Sequence, residues 1–341
     1  MDGYIDLVKT IAPEVEALVR RRFLILRSVA HLAPVGRRTL AEAMKTGERV
    51  IRSELEILRE LGLVEIAADG VKLSQRGFAL VMTIQPYVNE LLGIPRLEQQ
   101  VAEHLGIAKV LVVPGDSSTD PLVGRDLGRA AARYLQKLVR DGDIIAITGG
   151  TTLANVVGML APDRRQVTVV PGRGALGERV EIQANTIAAR LAQVLGGIYK
   201  LLHAPDNLNR QAMDELVRDP RIAEVLELIR KANVLIHGIG DAFEMAARRG
   251  SDSSQFRELK EKGAVAEAFG YYFNRQGEIV WQVESIGLRL TDLVQIKTII
   301  AVAGGSEKAQ AIAAVAAHHS QQVLITDQGA AEAILQLPKR S

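Results

Sequence analysis

From residue 106 onward, short apolar runs alternate with helical patterns, and this alternation restricts the possible folds more than any other feature. Alternating strands and helices are typical of a mostly parallel sheet whose faces are covered by helices. The sequence therefore predicts an α/β fold here, with a Rossmann-like sheet. The apolar runs lie at 110–113, 144–147, 167–170, 198–202, 234–236, 299–303 and 323–325, and the helical patterns lie at 122–140, 152–160, 183–195, 220–231, 306–317 and 329–336.

The first 80 residues have a different pattern, which is typical of a winged helix-turn-helix. Apolar side chains recur at helical spacing over 14–31. A short helix at 40–45 and a second helix at 48–61 are predicted to follow, separated by a turn. Asp69-Gly70 lies between two short apolar runs and predicts a β-hairpin, which would form the wing.

Positive charge is concentrated in this N-terminal region, although the formal net charge of the chain is only +2. Residues 20–59 contain ten arginines or lysines and four acids, a local excess of six positive charges. A basic helix-turn-helix indicates DNA binding, whereas charge alone fits a solvated helical surface equally well. The predicted DNA-binding residues are Arg37 and Arg38, on phosphates, and Arg49, Arg52 and Ser53, in the major groove.

Residues 74–105 form a predicted connection, as a helix or helix pair interrupted by Pro86 and Pro95. Its apolar side fits either packing onto the rest of the chain or contact with a second copy. A symmetric dimer or tetramer that reads two half-sites is the usual arrangement for a small DNA-binding head, so we expect a homo-oligomer. The predicted regions are a DNA-binding domain at 1–76, a helical linker at 77–105 and a ligand-binding and oligomerisation domain at 106–341.

Composition and motifs exclude several classes of protein. The chain has no cysteine, which excludes disulfides and thiolate chemistry and fits a reducing cytoplasm. No apolar run reaches the roughly 18 residues of a membrane span, and the first ten residues do not have the pattern of a signal peptide. The histidines have no metal-ligand spacing apart from the pair His318-His319, and no nucleophile elbow or P-loop is present. We therefore expect a cytoplasmic protein with no metal, no cofactor, no membrane partner and no catalytic residue.

Two of the predicted strands are followed by a small-residue turn and then a helix, which is the arrangement of an anion site. The turns lie at 149–152 (Gly-Gly-Thr-Thr) and at 304–306 (Gly-Gly-Ser). Glycine lets the backbone approach a ligand closely, and a helix N-terminus presents unpaired N–H groups to an anion. A purely structural turn is the alternative at each place. Ligands bind at the carboxyl ends of strands in such sheets, so we predict an oxyanion site at this edge.

Further side chains at the same edge carry charge or hydrogen-bonding groups. Arg173 follows a strand. It is placed either to bind a phosphate through two N–H groups or to form a salt bridge at the rim of the sheet. Gln183 lies at a predicted helix start, where it either binds a sugar hydroxyl or caps the helix. Lys308 lies in the first turn of its helix and opposes the helix dipole, which a bound anion would explain.

These stretches together resemble the SorC/DeoR-type bacterial transcription regulators, over nearly the whole chain. The resemblance is carried by 34–38 (PVGRR), 128–131 (GRAA), 148–152 (TGGTT), 237–240 (HGIG), 266–273 (AEAFGYYF) and 300–306 (IAVAGGS). It implies a repressor of glycolytic genes that releases its operator DNA when fructose-1,6-bisphosphate binds. It also implies a body folded like the sugar-phosphate isomerases and deaminases.

The resemblance also implies roles for individual residues of the body. The turn at 150–152 would hold one phosphate with Lys308 nearby, Arg173 and Arg248 would bind phosphate oxygens, and Glu267 would bind sugar hydroxyls. The similar deaminases have a histidine shortly after their GxG turn, which this chain lacks, so binding without catalysis is implied. The alternatives are a sugar-phosphate isomerase or deaminase with an accessory DNA-binding head, or a regulator tuned to another sugar phosphate. The predicted effector-binding residues are Gly149, Gly150, Thr151, Thr152, Arg173, Gly174, Gln183, Arg248, Glu267, Gly304, Gly305 and Lys308.

Overall fold

The computed structural model describes residues 10–174, 179–205, 210–318 and 322–339. The chain divides into two compact units, Met1–Arg96 and Leu97–Ser341, and each has a hydrophobic core of its own. Residues 1–9, part of the segment for which no signal peptide is predicted, lie outside the described residues. The finer division of the chain at residues 76 and 105 stays a prediction.

The first unit contains the predicted helices and hairpin in the predicted order. Ile51, Leu55 and Leu58 are buried on one side of the third helix, because they recur at the spacing of one helical face. The elements are α1 (Pro13–Leu32), α2 (Arg37–Ala43), α3 (Glu48–Glu60), β1 (Val64–Ala67), β2 (Gly70–Leu73) and α4 (Gln75–Leu91), followed by α5 (Ile94–Leu105), which continues into the second unit.

Three local expectations for this unit were wrong. Helix α2 begins at Arg37, three residues before the predicted start, and its N-cap is Gly36. Strand residue Ala67 pairs with Gly70, so the hairpin turn is at 68–69 rather than at Asp69-Gly70. Helix α4 continues through Pro86, because the buried residues Val81 and Val88 hold it on either side, and the break comes after it ends at residue 91.

The second unit follows the predicted alternation of strands and helices. Its helices are α6 (Pro121–Leu138), α7 (Thr151–Gly158), α8 (Ala184–Leu195), α9 (Arg210–Val217), α10 (Pro220–Arg230), α11 (Ala242–Arg248), α12 (Ser253–Glu261), α13 (Ala309–Ala317) and α14 (Gln328–Leu335). Its strands are β3 (Lys109–Val113), β4 (Ile144–Ile147), β5 (Thr168–Pro171), β6 (Ile198–Tyr199), β7 (Val234–Gly238), β8 (Gly240–Asp241), β9 (Ala264–Ala268), β10 (Tyr271–Asn274), β11 (Ile279–Gln282), β12 (Thr298–Val302) and β13 (Val323–Asp327).

Within the described residues, the main sheet has seven strands in the order β3-β13-β12-β7-β4-β5-β6, and all neighbouring pairs are parallel. This confirms the predicted α/β fold. Buried aliphatic residues of the strands, such as Ile145 and Ile236, pack against Leu135 of α6, Leu153 of α7 and Leu191 of α8. Because β12, β7, β4 and β5 are adjacent, the loops at their carboxyl ends meet at one edge. No helix within the described ranges is long and apolar enough to cross a membrane.

A second sheet was not predicted from the sequence. In the described part of the chain it has four antiparallel strands in the order β11-β10-β9-β8. Strands β9 and β10 form a hairpin within this sheet, in which Ala268 pairs with Tyr271. Phe269 and Gly270 form its two-residue turn and have φ angles of 56° and 81°. Such a turn needs positive φ at both positions, which glycine adopts without strain.

Candidate functional site

A cavity of about 310 Å³ lies at the carboxyl edge of the main sheet, where the strand-end loops meet. This volume is near the lower end of the roughly 300–1,000 Å³ that is typical of small-molecule sites. The loops after β4, β5, β7 and β12 each contribute to its wall, as the strand order requires. The predicted residues that line it are Gly149, Gly150, Thr151, Thr152, Arg173, Gly174, Gln183, Arg248, Glu267 and Lys308.

The start of helix α7 provides the donors for an anion in this cavity. Its N-cap is Gly150, with φ of 117°, and the N–H of Gly150 donates to the Ile182 carbonyl at 2.8 Å. The N–H groups of Thr151 and Thr152 come next, and no acceptor for them lies within the described residues. The first N–H groups of a helix have no partner within the helix, so these two point to a ligand from outside it.

A buried cluster of charges, Arg173, Glu267 and Arg249, forms another part of the wall. The Oε1 atom of Glu267 accepts from Arg249 Nη2 at 2.8 Å, from the Gly270 N–H at 2.6 Å and from Arg173 Nη1 at 3.4 Å. The side chains of Glu267 and Arg249 are only 6% and 4% exposed. Buried charges are tolerated where they are paired in this way.

The two arginines have further polar partners that fix their orientation. Arg173 Nη2 donates to the Ser285 hydroxyl at 3.0 Å, and Arg249 Nη1 donates to the Tyr272 hydroxyl at 2.9 Å. Burial raises the pKa of Tyr272, so its hydroxyl keeps its proton and accepts from Arg249 through oxygen. Arg173 therefore lines the cavity as predicted, but its guanidinium is already bonded to Glu267 and Ser285.

Arg249 is the main site residue that the sequence analysis missed. It follows directly after the predicted Arg248, and cations at the end of a helix are ordinary. No local pattern distinguishes two adjacent arginines, of which Arg248 is exposed and Arg249 pairs with Glu267. Other lining residues absent from the prediction include Arg179, Ile182, Ile239, Glu244, Met245 and Phe269.

Gly304 and Gly305, which the sequence predicted as effector residues, are not among the residues that line the cavity. The Gly305 N–H donates to Asp327 at 2.7 Å, and the Ser306 N–H donates to Asp116 at 3.2 Å. Protein carboxylates thus occupy the donors that a phosphate would use at this turn. Only Lys308, three residues later, reaches the cavity wall.

The described titratable groups near the cavity include one buried histidine, His237. His237 is fully buried, and burial lowers its pKa to about 4, so the ring is neutral at pH 7. Its Nδ1 lies 2.9 Å from the Gly238 carbonyl, and its ring centroid is 4.3 Å from that of Phe269. No cluster of three or more potential metal ligands occurs among the described residues, and His319 lies outside them.

The first unit presents the predicted DNA-binding residues to solvent. Arg37, Arg38, Arg49, Arg52 and Ser53 are all exposed. Arg52 Nε makes an ion pair of 3.1 Å with Glu56, but exposed pairs of this kind are weak and leave the arginine available.

The opposite side of α3 is held in the unit by a buried carboxylate. Glu54 is 6% exposed and accepts from Arg21 Nη1 at 3.3 Å and from Arg22 Nε at 2.9 Å, both on α1. This pairing fixes the rotation of α3, so that its basic side faces outward.

We expect Arg49→Ala and Arg52→Ala each to weaken operator binding by roughly 1–3 kcal/mol if the side chain reads a base edge. Fluorescence anisotropy with a labelled operator measures the change. Lys231→Ala, which removes an exposed cation from the second unit, serves as the control and should leave affinity unchanged. Unchanged affinity in the Arg49→Ala and Arg52→Ala double variant would contradict the assignment of α3 to the major groove.

Two family models match this chain and together span most of it. The model of the CggR N-terminal DNA binding domain matches residues 18–88, and a model described as a sugar-binding domain matches residues 89–336. The chain is 40% identical to the central glycolytic genes regulator of Bacillus subtilis over 98% of its own length and 99% of that protein. It is also 40% identical to the central glycolytic genes regulator of Priestia megaterium, with the same coverage.

Solved structures give the same answer. A SorC family transcriptional regulator from Enterococcus faecalis is 40% identical, with a TM-score of 0.66, and the match covers 71% of this chain and 100% of that one. The full-length sorbitol operon regulator SorC from Klebsiella pneumoniae has a TM-score of 0.67 and 19% identity, over 93% of this chain and 99% of that one, and it supports the fold alone. With its N-terminal DNA-binding domain and its sugar-binding domain, the chain belongs to the SorC/DeoR-type family of bacterial transcription regulators.

Proposed function

We propose that this regulator represses glycolytic genes and releases its operator when a phosphorylated sugar, fructose-1,6-bisphosphate, occupies the cavity. The gene target follows from the similarity to central glycolytic genes regulators over nearly the whole chain. The observation that carries the choice of ligand is the cavity at the strand ends, which has several cations in its wall and helix N–H groups with no acceptor in the described part of the chain.

The charge of the cavity favours a ligand with more than one phosphate. Among the described residues that line it, five side chains are cationic and two are acidic, a formal excess of three positive charges. A phosphate monoester carries about −1.5 to −2 at pH 7, so a bisphosphate brings about −3 to −4. A bisphosphate therefore compensates this excess, whereas a monophosphate leaves part of it unbalanced.

The cations come from separate elements, and this suggests two subsites. We assign one phosphate to the N–H and hydroxyl groups of Thr151 and Thr152 with Lys308, and the other to Arg248 and Arg179. Arg179 and Arg248 are exposed, so they are free to adjust to the ligand. We assign Glu267 and Gln183, which also line the cavity, to the sugar hydroxyls.

The same cavity favours binding over catalysis. Of the two carboxylates that line it among the described residues, Glu267 is bonded to two arginines and to a backbone N–H, and Glu244 is exposed on α11. A general acid or base must contact the reacting group, and the Oε1 atom of Glu267 already accepts from Arg249, Arg173 and the Gly270 N–H. We therefore assign no catalytic residue and no cofactor to the cavity.

We expect the operator to be bound by more than one copy of the chain. We expect this binding to take place in the cytoplasm. A single winged helix reads one half-site, and a symmetric dimer or tetramer reads two. Effector binding and operator binding are then coupled, because the effector binds one state of the protein better than the other.

The test is operator release under titration with fructose-1,6-bisphosphate, fructose 6-phosphate and fructose 1-phosphate. We expect the bisphosphate to act at a concentration at least about tenfold lower than either monophosphate, because a missing charged hydrogen bond costs about 1.5–3 kcal/mol. The same mixtures are assayed for chemical turnover of the sugars. Release by none of the three sugar phosphates would contradict the proposal, and turnover would favour an enzyme with an accessory DNA-binding head.

A further inference from the structure

Asp327, the last residue of β13, has a buried carboxylate that is hydrogen-bonded to the turn before Lys308. Asp327 is fully buried. Its Oδ2 atom accepts from the Gly305 N–H at 2.7 Å, from the Ser117 N–H at 2.9 Å and from the Ser117 hydroxyl at 2.5 Å, and its Oδ1 atom accepts from the Ala330 N–H at 2.9 Å. One carboxylate thus joins the loops after β3 and β12 to the start of α14.

A second carboxylate, from the loop after β3, holds the next residue of the same turn. Asp116 Oδ1 accepts from the Ser306 N–H at 3.2 Å and from the Ser118 hydroxyl at 2.6 Å. Burial raises the pKa of Asp116, but the hydrogen bonds from Ser118 and Ser306 outweigh it and hold the pKa below its usual range. Consecutive N–H groups of the turn are therefore bound by two carboxylate side chains.

The glycines of this turn are explained by the carboxylate and not by a ligand. A Cβ atom on Gly304 would lie 2.5 Å from Asp327 Oδ2 and 2.9 Å from the Ser117 hydroxyl. Gly305 has φ of 100°, which residues with a Cβ rarely adopt. The turn is built around Asp327, and any side chain at residue 304 would displace it.

Lys308 is attached directly to this turn. Its N–H donates to the Gly305 carbonyl at 2.9 Å, closing the 3-10 turn Ser306–Lys308, and its side chain lines the cavity. The backbone of Lys308 is therefore hydrogen-bonded to Gly305, the residue whose N–H is held by Asp327.

We propose that Asp327 is a positioning residue for the effector site, and that it acts by holding the Gly305 turn so that Lys308 faces the phosphate. The inference rests on the proposed function, since it assumes that Lys308 contacts a phosphorylated ligand. The turn at 304–306, the second small-residue turn of the sequence, then has the role of supporting the cation Lys308.

The test is a double-mutant cycle on the affinity of the full chain for fructose-1,6-bisphosphate, measured by calorimetry. Asp327→Asn keeps the size of the side chain but replaces an acceptor with an N–H₂ group, so we expect about five- to tenfold weaker binding. In the Lys308→Ala background, the same substitution should cause no further loss. Glu307→Gln, which changes an exposed acid in the same turn, is the matched control and should keep wild-type affinity.

The outcomes separate this inference from the function on which it rests. If Lys308→Ala binds the bisphosphate as well as wild type, the proposed phosphate site fails. If Lys308→Ala weakens binding while Asp327→Asn does not, or if Asp327→Asn weakens it equally in both backgrounds, the positioning role is overturned. If Asp327→Asn does not yield folded protein, Asp327→Glu, which keeps the carboxylate but displaces it from the Gly305 N–H, carries the same cycle and the same criteria.

Discussion

Replacing Glu267 with methionine is expected to lower the free energy of unfolding of the second unit by about 3–5 kcal/mol. The substitution leaves Arg173 and Arg249 buried without the carboxylate that they share, and an uncompensated buried charge is costly. A loss of this size is a large part of the roughly 5–15 kcal/mol that stabilises a typical domain. The Tyr272 ring, whose centroid is 5.7 Å from Arg249 Cζ, does not compensate, because it packs against the guanidinium without neutralising it.

Urea unfolding followed by tryptophan fluorescence measures this loss. The single tryptophan, Trp281, lies on β11 with its ring centroid 5.0 Å from that of Tyr272, so its emission reports on the unit that holds the cluster. Glu244→Met, which removes the exposed carboxylate of the same cavity, is the matched control and should change stability by less than about 0.5 kcal/mol. A loss below about 1 kcal/mol for Glu267→Met would show that the cluster is not a buried ionic network.

Arg248→Ala is expected to weaken fructose-1,6-bisphosphate binding by about 10- to 150-fold and to leave operator binding without effector unchanged. The expected factor corresponds to the loss of one charged hydrogen bond, about 1.5–3 kcal/mol. Arg248 is exposed and lines the cavity, so its removal neither opens the core nor breaks an internal ion pair.

Calorimetry and operator binding are measured on the same preparations. Arg257→Ala, on an exposed part of α12 outside the cavity lining, is the control for the general loss of a positive charge. If Arg248→Ala binds the effector as tightly as wild type does, Arg248 is not part of the effector site. Arg173→Ala is a poor substitute for this test, because Arg173 is buried against Glu267 and its loss would also affect stability.

The sequence was a good guide to elements that depend on local patterns. The apolar runs at 144–147 and 234–236 became β4 and β7, because parallel strands buried on both faces are continuously apolar. The second sheet was missed because its strands are short and β8 has only two residues, Gly240 and Asp241. Such a strand exists only through pairing with a distant partner, which no local periodicity reports.

The charge cluster could not be predicted for a related reason. Glu267 is 94 residues from Arg173 and 18 from Arg249 in the chain, and only the folded sheet brings the three together. The two glycine turns also read alike in the sequence. At the turn 149–152, the N–H groups of Thr151 and Thr152 meet no acceptor among the residues that the structure describes. At the turn 304–306, the Gly305 N–H donates to Asp327, which comes 22 residues later. Which carboxylate returns to a turn is decided by tertiary structure.

The cavity therefore has two kinds of residue that evolution or an engineer can treat separately. Arg173, Glu267 and Arg249 are buried and support the fold, while Arg179 and Arg248 are exposed around the opening. If the proposed function holds, we expect changes at the exposed arginines to alter which small molecule is recognised, at little cost in folding. A biosensor for a differently charged metabolite is thus best sought by varying the exposed positions in a library that keeps the buried trio constant.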